Sequence, residues 1–206
     1  MQKPSSEPDF GINVDPTDQG YVWEDLTAPI NPDTKSGASY TLVALTGTAE
    51  MFMFAFDTTN DASYLYFHIP HWIHPGTGVF FHVHVFIGTT AGSGVIDFEL
   101  AYLHAPLNAA YTPGTLPKAH CTSGTLSAVS SQSFVLETPS EYLAGQLQVD
   151  DVLAIQIRRL TVANGGADTF TGANVYVSHV DLHIRKSKFG TMYRSKTSSP
   201  NGSFYF

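Results

Sequence analysis

Charge is what this chain has least of. Asp, Glu, Lys and Arg make up 14 % of its 206 residues, against about a quarter in an ordinary soluble domain. A surface so thinly charged, on a chain with 10 Tyr and 14 Phe, implies that much of it faces other protein. Cysteine is nearly missing: Cys121 alone excludes an internal disulfide framework and fits a reducing compartment. No apolar run approaches the ~18 residues of a membrane span, and no signal-type hydrophobic stretch follows Met1. Neither membrane insertion nor export is therefore expected. A net charge of −8 argues against nucleic acid as a partner. Enzyme signatures are lacking too: there is no Gly-x-Ser-x-Gly elbow, no phosphate-binding Gly loop and no Cys-x-x-Cys, and Cys121 beside His120 has no supporting context. No catalytic residue and no cofactor is expected.

What the chain does have is strand alternation. Val79 to Ile87 puts Val79, Phe81, Val83, Val85 and Ile87 on one apolar face and Phe80, His82, His84 and Phe86 on the other. The turn-rich stretch 88–94 follows, and then a second strand over 95–103 with Ile96, Phe98, Leu100 and Tyr102 on its apolar face. Read as an antiparallel hairpin, the pair must keep both apolar faces on one side. The register best centred on the loop sets Val85 against Phe98 and Val83 against Leu100. It also sets His84 opposite Glu99 and Phe86 opposite Asp97.

Further strands are expected over 40–46, 51–56, 63–69, 152–160 and 175–184. In the last, Tyr176, Val180, Leu182 and Ile184 share one face, and His179, Asp181 and His183 share the other. Residues 104–124, with Pro106, Pro113 and Pro117, read as a long loop with room for one short strand. Residues 125–137 alternate weakly, and 139–143 suit a single helical turn with Ser140 near its cap. The resulting class is all-β: an antiparallel β-sandwich of jelly-roll type with an extended N-terminal arm. Residues 1–35, rich in Pro, Asp, Gly and Ser, form the arm, anchored by Tyr21, Val22, Trp23 and Leu26. Residues 36–188 form the sandwich, and 189–206 a C-terminal tail.

Histidine supplies the candidate chemistry. His82-x-His84 on a strand places two imidazoles about 7 Å apart at Cα on one face, a spacing that suits chelation of one metal. With Gly76 it also meets the opening of the cupin pattern, a jelly-roll family that holds a metal with two His, a Glu and a later His. The match then fails. Gly88 and Thr89 stand where the Glu belongs, and the Pro-x-Gly-x-x-His element is absent. A tightly bound catalytic metal is therefore not expected, and His82 and His84 remain only weak metal candidates. An alternative is a structural ion on a threefold axis, held by His82 and His84 from three chains. His68, His71 and His74 around a Pro-bounded loop, and His179, Asp181 and His183, are lesser candidates.

The ends carry opposite charge. Residues 1–61 hold ten acids against Lys3 and Lys35, while Arg185, Lys186, Lys188, Arg194 and Lys196 are half of all the positive charge. Two solvated tails are one reading; the other makes Tyr21, Trp23 and these five basic residues the expected assembly interface, docking on complementary neighbours.

The order of several short motifs adds a resemblance. Trp23-Glu-Asp-Leu with Pro29-Ile-Asn is followed by His68-Ile-Pro-His71, Pro75-Gly-Thr and His82-Val-His84. Asp168-Thr-Phe-Thr-Gly, Val180-Asp-Leu-His183 and Phe189-Gly-Thr191 close the series, ahead of an aromatic C-terminus. Across about residues 23–206 the chain resembles a family of tailed-bacteriophage virion proteins. It departs from that family at Phe81 and Val85, where the usual text reads Pro-His-Val-His-Trp. The resemblance implies a non-enzymatic structural protein of the virion, assembled in the host bacterial cytoplasm. Its partners would be other capsid or tail proteins and further copies of itself, a homotrimer being favoured. A place on the capsid, as a decoration protein, is the first expectation; a tail, collar or fibre component is the alternative. Two other classes are a metal-dependent cupin-like enzyme and a carbohydrate-binding sandwich, the latter on Trp72 and several Tyr as aromatic platforms.

Overall fold

The computed structural model describes residues 21–32, 39–46, 49–56, 62–74, 76–111, 114–171 and 175–187. Their strands are β1 (Tyr21–Ala28), β2 (Asn31–Pro32), β3 (Ser39–Thr46), β4 (Ala49–Ala55), β5 (Ala62–His68), β6 (Val79–Ile87) and β7 (Gly92–Gly94). There follow β8 (Asp97–Ala105), β9 (Lys118–Thr122), β10 (Leu126–Val129), β11 (Ser133–Glu137), β12 (Val152–Arg159) and β13 (Val175–Ser187). One 3-10 turn spans Val162–Asn164. Among the described residues no helix is long and apolar enough to cross a membrane.

Alternating side chains need a core on one side only, and two sheets provide it for each other. A front sheet runs β11-β6-β13-β4-β3, with β1 also paired to β13; a back sheet runs β2-β5-β12-β8-β9. The strands β4-β13-β6-β11 oppose β5-β12-β8-β9, which is the order of a jelly roll. The fold is thus the expected all-β antiparallel sandwich. Val79, Phe81, Val83, Val85 and Ile87 of β6 share one core with Phe98 and Leu100 of β8 and with Leu153, Ile155 and Ile157 of β12. Phe56 meets Phe98 edge-on at 5.3 Å, and the Cys121 thiol donates to the Phe81 carbonyl at 3.4 Å across the sandwich.

The hairpin expectation is corrected. β6 and β8 lie in different sheets. Val83, Val85, Phe98 and Leu100 are all fully buried, as expected, but they meet across the core instead of side by side. His84 pairs with Val135 and His179, while Glu99 pairs with Arg158 and His120 on the back sheet. An inward apolar face is equally satisfied by a neighbour in the sheet or by one opposite it.

Three smaller differences follow from pairing. Residues 21–28 are a strand of the front sheet and 31–32 a strand of the back sheet, so this part of the expected 1–35 arm belongs to the sandwich; residues 1–20 lie outside the described residues. Tyr176 does not share a face with Val180. A bulge between Val177 and His179 shifts the alternation by one residue, and Tyr176 packs with Met53, Ala55 and Phe86 on the outer face. No helical turn forms at 139–143. Tyr142 instead exchanges two 2.8 Å backbone hydrogen bonds with Val79. The short strand anticipated within 104–124 is β9. Lys188 and the tail 189–206, with Arg194 and Lys196, lie outside the described residues.

Candidate functional site

The outer face of the front sheet gathers the histidines. β6 alternates buried and half-buried residues along its length, turning Phe80, His82, His84 and Phe86 outward. The bulge in β13 brings His179, Asp181 and His183 to the same face. There His179 stands opposite His84, Asp181 opposite His82, and His183 opposite Phe80. β11 places Glu137 beside His82, and β1 places Asp25 beside His183 and Trp23 beside Arg185. Four strands thus bring four histidines and three carboxylates together.

Asp181 is the centre of this group and is only 2 % exposed. His84 donates from Nε2 to its Oδ2 at 2.8 Å, and His179 Nε2 lies 3.8 Å from the same oxygen. Its Oδ1 lies 3.2 Å from His82 Nδ1, yet has no hydrogen-bond partner. The other ring nitrogen of His82 is tied to Glu137 Oε2 at 2.5 Å. Further along, His183 Nδ1 contacts Asp25 Oδ1 at 2.7 Å, and His82 Nδ1 is 3.9 Å from that oxygen. The rings stack in pairs, His84 on His179 at 3.9 Å and His82 on His183 at 4.9 Å. Trp23 continues the stack over His183 at 4.7 Å and carries the Arg185 guanidinium on its face at 4.8 Å.

The charges follow from these contacts. Asp181 beside His82, helped by Glu137 and opposed by burial, pushes the imidazole up to about 9. Burial works to raise Asp181, but His82 and His84 outweigh it and hold the carboxyl below its ordinary range. Burial, and next the neighbouring His84, lower His179. At neutral pH His82 is a cation held between two carboxylates. The face can therefore hold a proton tightly, or exchange it for another cation.

Sequence reading placed His82 and His84 correctly on one face, and His179, Asp181 and His183 on another, but as separate candidates. Pairing of β6 with β13 makes them one. Asp25 and Glu137 were missed as members. Only a knowledge of which strands flank β6 and β13 would have found them, since neither sits in a ligand-like spacing. The loop histidines go elsewhere: His68 and His71 both reach Asp150 Oδ1, at 3.3 and 2.9 Å. The Cys121 thiol is raised by burial, and further by Asp97 and Glu137, so it is no nucleophile.

The expected interface residues are partly used inside the chain. Lys186 Nζ binds Glu24 Oε2 at 2.6 Å and sits 5.1 Å over the Trp72 ring. One pair of these opposite charges thus meets within the chain, between β1 and β13. Trp72 is half-buried against the core, which corrects its reading as an open platform for sugars. Trp23 remains more than a third exposed, and Tyr21 lies in β1 opposite Ser187.

No family model matches the chain, and no curated protein does. Among solved structures it is similar to a carbohydrate-binding module, CBM28, specific for non-crystalline cellulose, at 10 % identity and a TM-score of 0.36, covering 76 % of this chain and 85 % of that one. A family 11 carbohydrate-binding module from Clostridium thermocellum gives 13 % identity and a TM-score of 0.33, over 78 % and 87 %. An Arthrobacter globiformis isomalto-dextranase complexed with panose gives 11 % and 0.33, over 78 % of this chain and 23 % of that one. Likenesses at this level assign no ligand to the chain.

Proposed function

We propose that this chain is a non-enzymatic structural subunit of a tailed-bacteriophage virion, placed on the capsid and acting through contacts with neighbouring protein. One observation carries the reading. The motifs that carry the sequence resemblance are far apart in the chain but converge in space. Trp23 and Asp25, His82 and His84, and Asp181 and His183 all meet on the outer face of the front sheet. Two of the other motifs make polar contacts within the fold. Asp168 binds buried Arg159, and His68 and His71 converge on Asp150. Residues used in this way frame a scaffold, which suits a subunit whose task is to hold shape within an assembly. A jelly roll by itself hosts many functions, so the fold adds nothing either way.

The surface supports the same reading. Val22 and Trp23 on β1, Val135 on β11, and Tyr66 and Val152 on neighbouring strands of the back sheet are all exposed. Large apolar side chains of this kind suit contact with other subunits. In this proposal the chain forms a homotrimer through them.

The test is the composition of purified particles from the encoding phage, with sedimentation of the isolated chain. The chain should be found in the virion at a fixed copy number and should sediment as a trimer. Its absence from particles would overturn the virion role; a compact monomer would overturn the trimer.

A further inference from the structure

We propose that the outer face of the front sheet binds one divalent first-row transition-metal ion per chain through His82 Nδ1, His84 Nε2 and the Asp181 carboxylate. The proposal stands apart from the virion reading and needs no partner chain.

The first argument is a buried carboxylate oxygen that makes no hydrogen bond and has a ring nitrogen close beside it. Asp181 is 2 % exposed, and its Oδ1 has no hydrogen-bond partner. Its near neighbour His82 Nδ1, at 3.2 Å, makes no hydrogen bond to it, and a shared ion would give both atoms a well-aligned partner. The Asp181 carboxylate lies 3.2 Å from His82 Nδ1 and 2.8 Å from His84 Nε2. His82, His84 and Asp181 each offer one donor atom, all within 4.8 Å of one another.

The second argument is spacing. Two donors on one tetrahedral zinc, at 2.0–2.1 Å each, stand about 3.3 Å apart. His82 Nδ1 and Asp181 Oδ1 are 3.2 Å apart. The third is the support behind the ligand. A metal-bound imidazole ordinarily donates its other N–H to a carboxylate, which fixes the ring and its tautomer. Glu137 holds His82 Nε2 in this way at 2.5 Å.

The donor set selects the class of ion. Two imidazoles and a carboxylate suit zinc, cobalt, nickel or iron(II) over calcium and magnesium, which want oxygen alone, and over copper(I), which wants sulfur. On binding, His82 releases its Nδ1 proton to solvent and keeps the Nε2 proton on Glu137. His84 moves its proton to Nδ1, freeing the Nε2 lone pair. Water completes the shell. Asp25 and His183 form another group with His82. That group is less suited, because the Asp25 side chain is 53 % exposed and its oxygen lies farther from His82 Nδ1, at 3.9 Å. The ion therefore ties β6 to β13, the two central strands of the sheet.

Sequence reading set metal aside because the cupin carboxylate was missing after His84. The structure supplies a carboxylate from β13 instead.

The test uses the full-length chain, stripped with chelator and titrated with zinc by calorimetry and with cobalt by visible absorption. One ion per chain should bind in the micromolar range or tighter, with d–d bands for cobalt and a raised melting temperature with zinc. His84→Ala should weaken zinc binding at least about tenfold, and Glu137→Gln, acting through His82, by about tenfold. Asp25→Asn and His183→Ala, which only flank His82, should weaken binding less than His84→Ala does. Circular dichroism of each metal-free variant establishes that it folds; His84, being partly exposed, is the substitution that leaves the core untouched. No saturable binding up to millimolar zinc would overturn the proposal. So would loss of binding in Asp25→Asn and His183→Ala, or a stoichiometry of one ion per three chains, which would put the ion between chains.

Discussion

Arg159 and Asp168 clasp each other through two bonds, Nε to Oδ2 at 2.7 Å and Nη2 to Oδ1 at 3.1 Å, with both side chains buried. The guanidinium also donates to the Phe56 carbonyl at 2.9 Å and the Phe170 carbonyl at 3.3 Å. The pair thereby joins the end of β12 to the chain after β4 and to the loop before β13. Asp168→Ala would strand the guanidinium in the interior, and should cost about 3–5 kcal/mol. Replacing both partners with apolar residues should cost much less than the two single changes together. Urea unfolding of the three variants checks this. A loss under about 1 kcal/mol in Asp168→Ala would show that the pair is not what holds the loop.

Val83 tests the core. It is fully buried between the sheets, so Val83→Asp should cost about 3 kcal/mol or more, because an unpaired carboxylate enters an apolar interior. Thermal melting reads the effect, and an unchanged midpoint would refute the packing described for β6.

That burial was legible in the sequence, and the partner of β6 was not. Strict alternation from Val79 to Ile87 identifies the strand, its inward face and its two outward histidines. The same alternation in 95–103 says which residues of the next strand point inward, but not whether they stand beside β6 or across from it. A seven-residue connection serves either arrangement. The bulge at Ser178 was hidden for a related reason. An extra residue in a strand changes no composition and only breaks the period, so Tyr176 looked inward. The histidine cluster was half legible: its members on β6 and β13 were visible as a pair and a triplet of alternating polar residues. Their union, and the addition of Asp25 and Glu137, depend on pairings between residues up to 158 positions apart.

Glu99 sets a pH dependence. It is buried on the back sheet under Lys118, whose ammonium lies 2.7 Å away, and Arg158; His120 stands opposite it on β9. Burial alone would raise its pKa, but Lys118 and then Arg158 prevail and hold it below the ordinary glutamate value. A depressed carboxylate stabilises the fold above its unfolded-state pKa and loses that contribution as pH falls through its folded one. Wild-type protein should therefore melt higher than Glu99→Gln at pH 7, with the gap closing as pH is lowered through the acid range. A gap that stays constant to pH 3 would contradict the assignment.

Gly78 tests the seam between β6 and the loop after β11. A Cβ there would meet the Tyr142 carbonyl oxygen at 2.2 Å and the Ala144 nitrogen at 2.9 Å. Both are backbone atoms that cannot swing aside, and Gly78 N also donates to Glu141 Oε1 at 2.8 Å. Gly78→Ala should destabilise by about 2 kcal/mol or more, measured by denaturant midpoint. Gly124→Ala, where a Cβ meets nothing within 4 Å, should change stability by less than about 0.5 kcal/mol.

β13 is shared by three partners: β6 along one edge, and β4 and then β1 along the other. It is also the last of the described strands in chain order. Until residue 187 has emerged, β6 holds only β11 in register, and β1 and β4 have no seat on the front sheet. The back sheet can form earlier, since β5, β8, β9 and β12 are all made before β13. Closure of the front sheet therefore waits for β13, and β6 lacks its neighbour on that edge until then. Slow, late folding with exposure to misassembly follows from strand order alone, and it makes this the stage at which a chaperone or a neighbouring subunit would have the most effect.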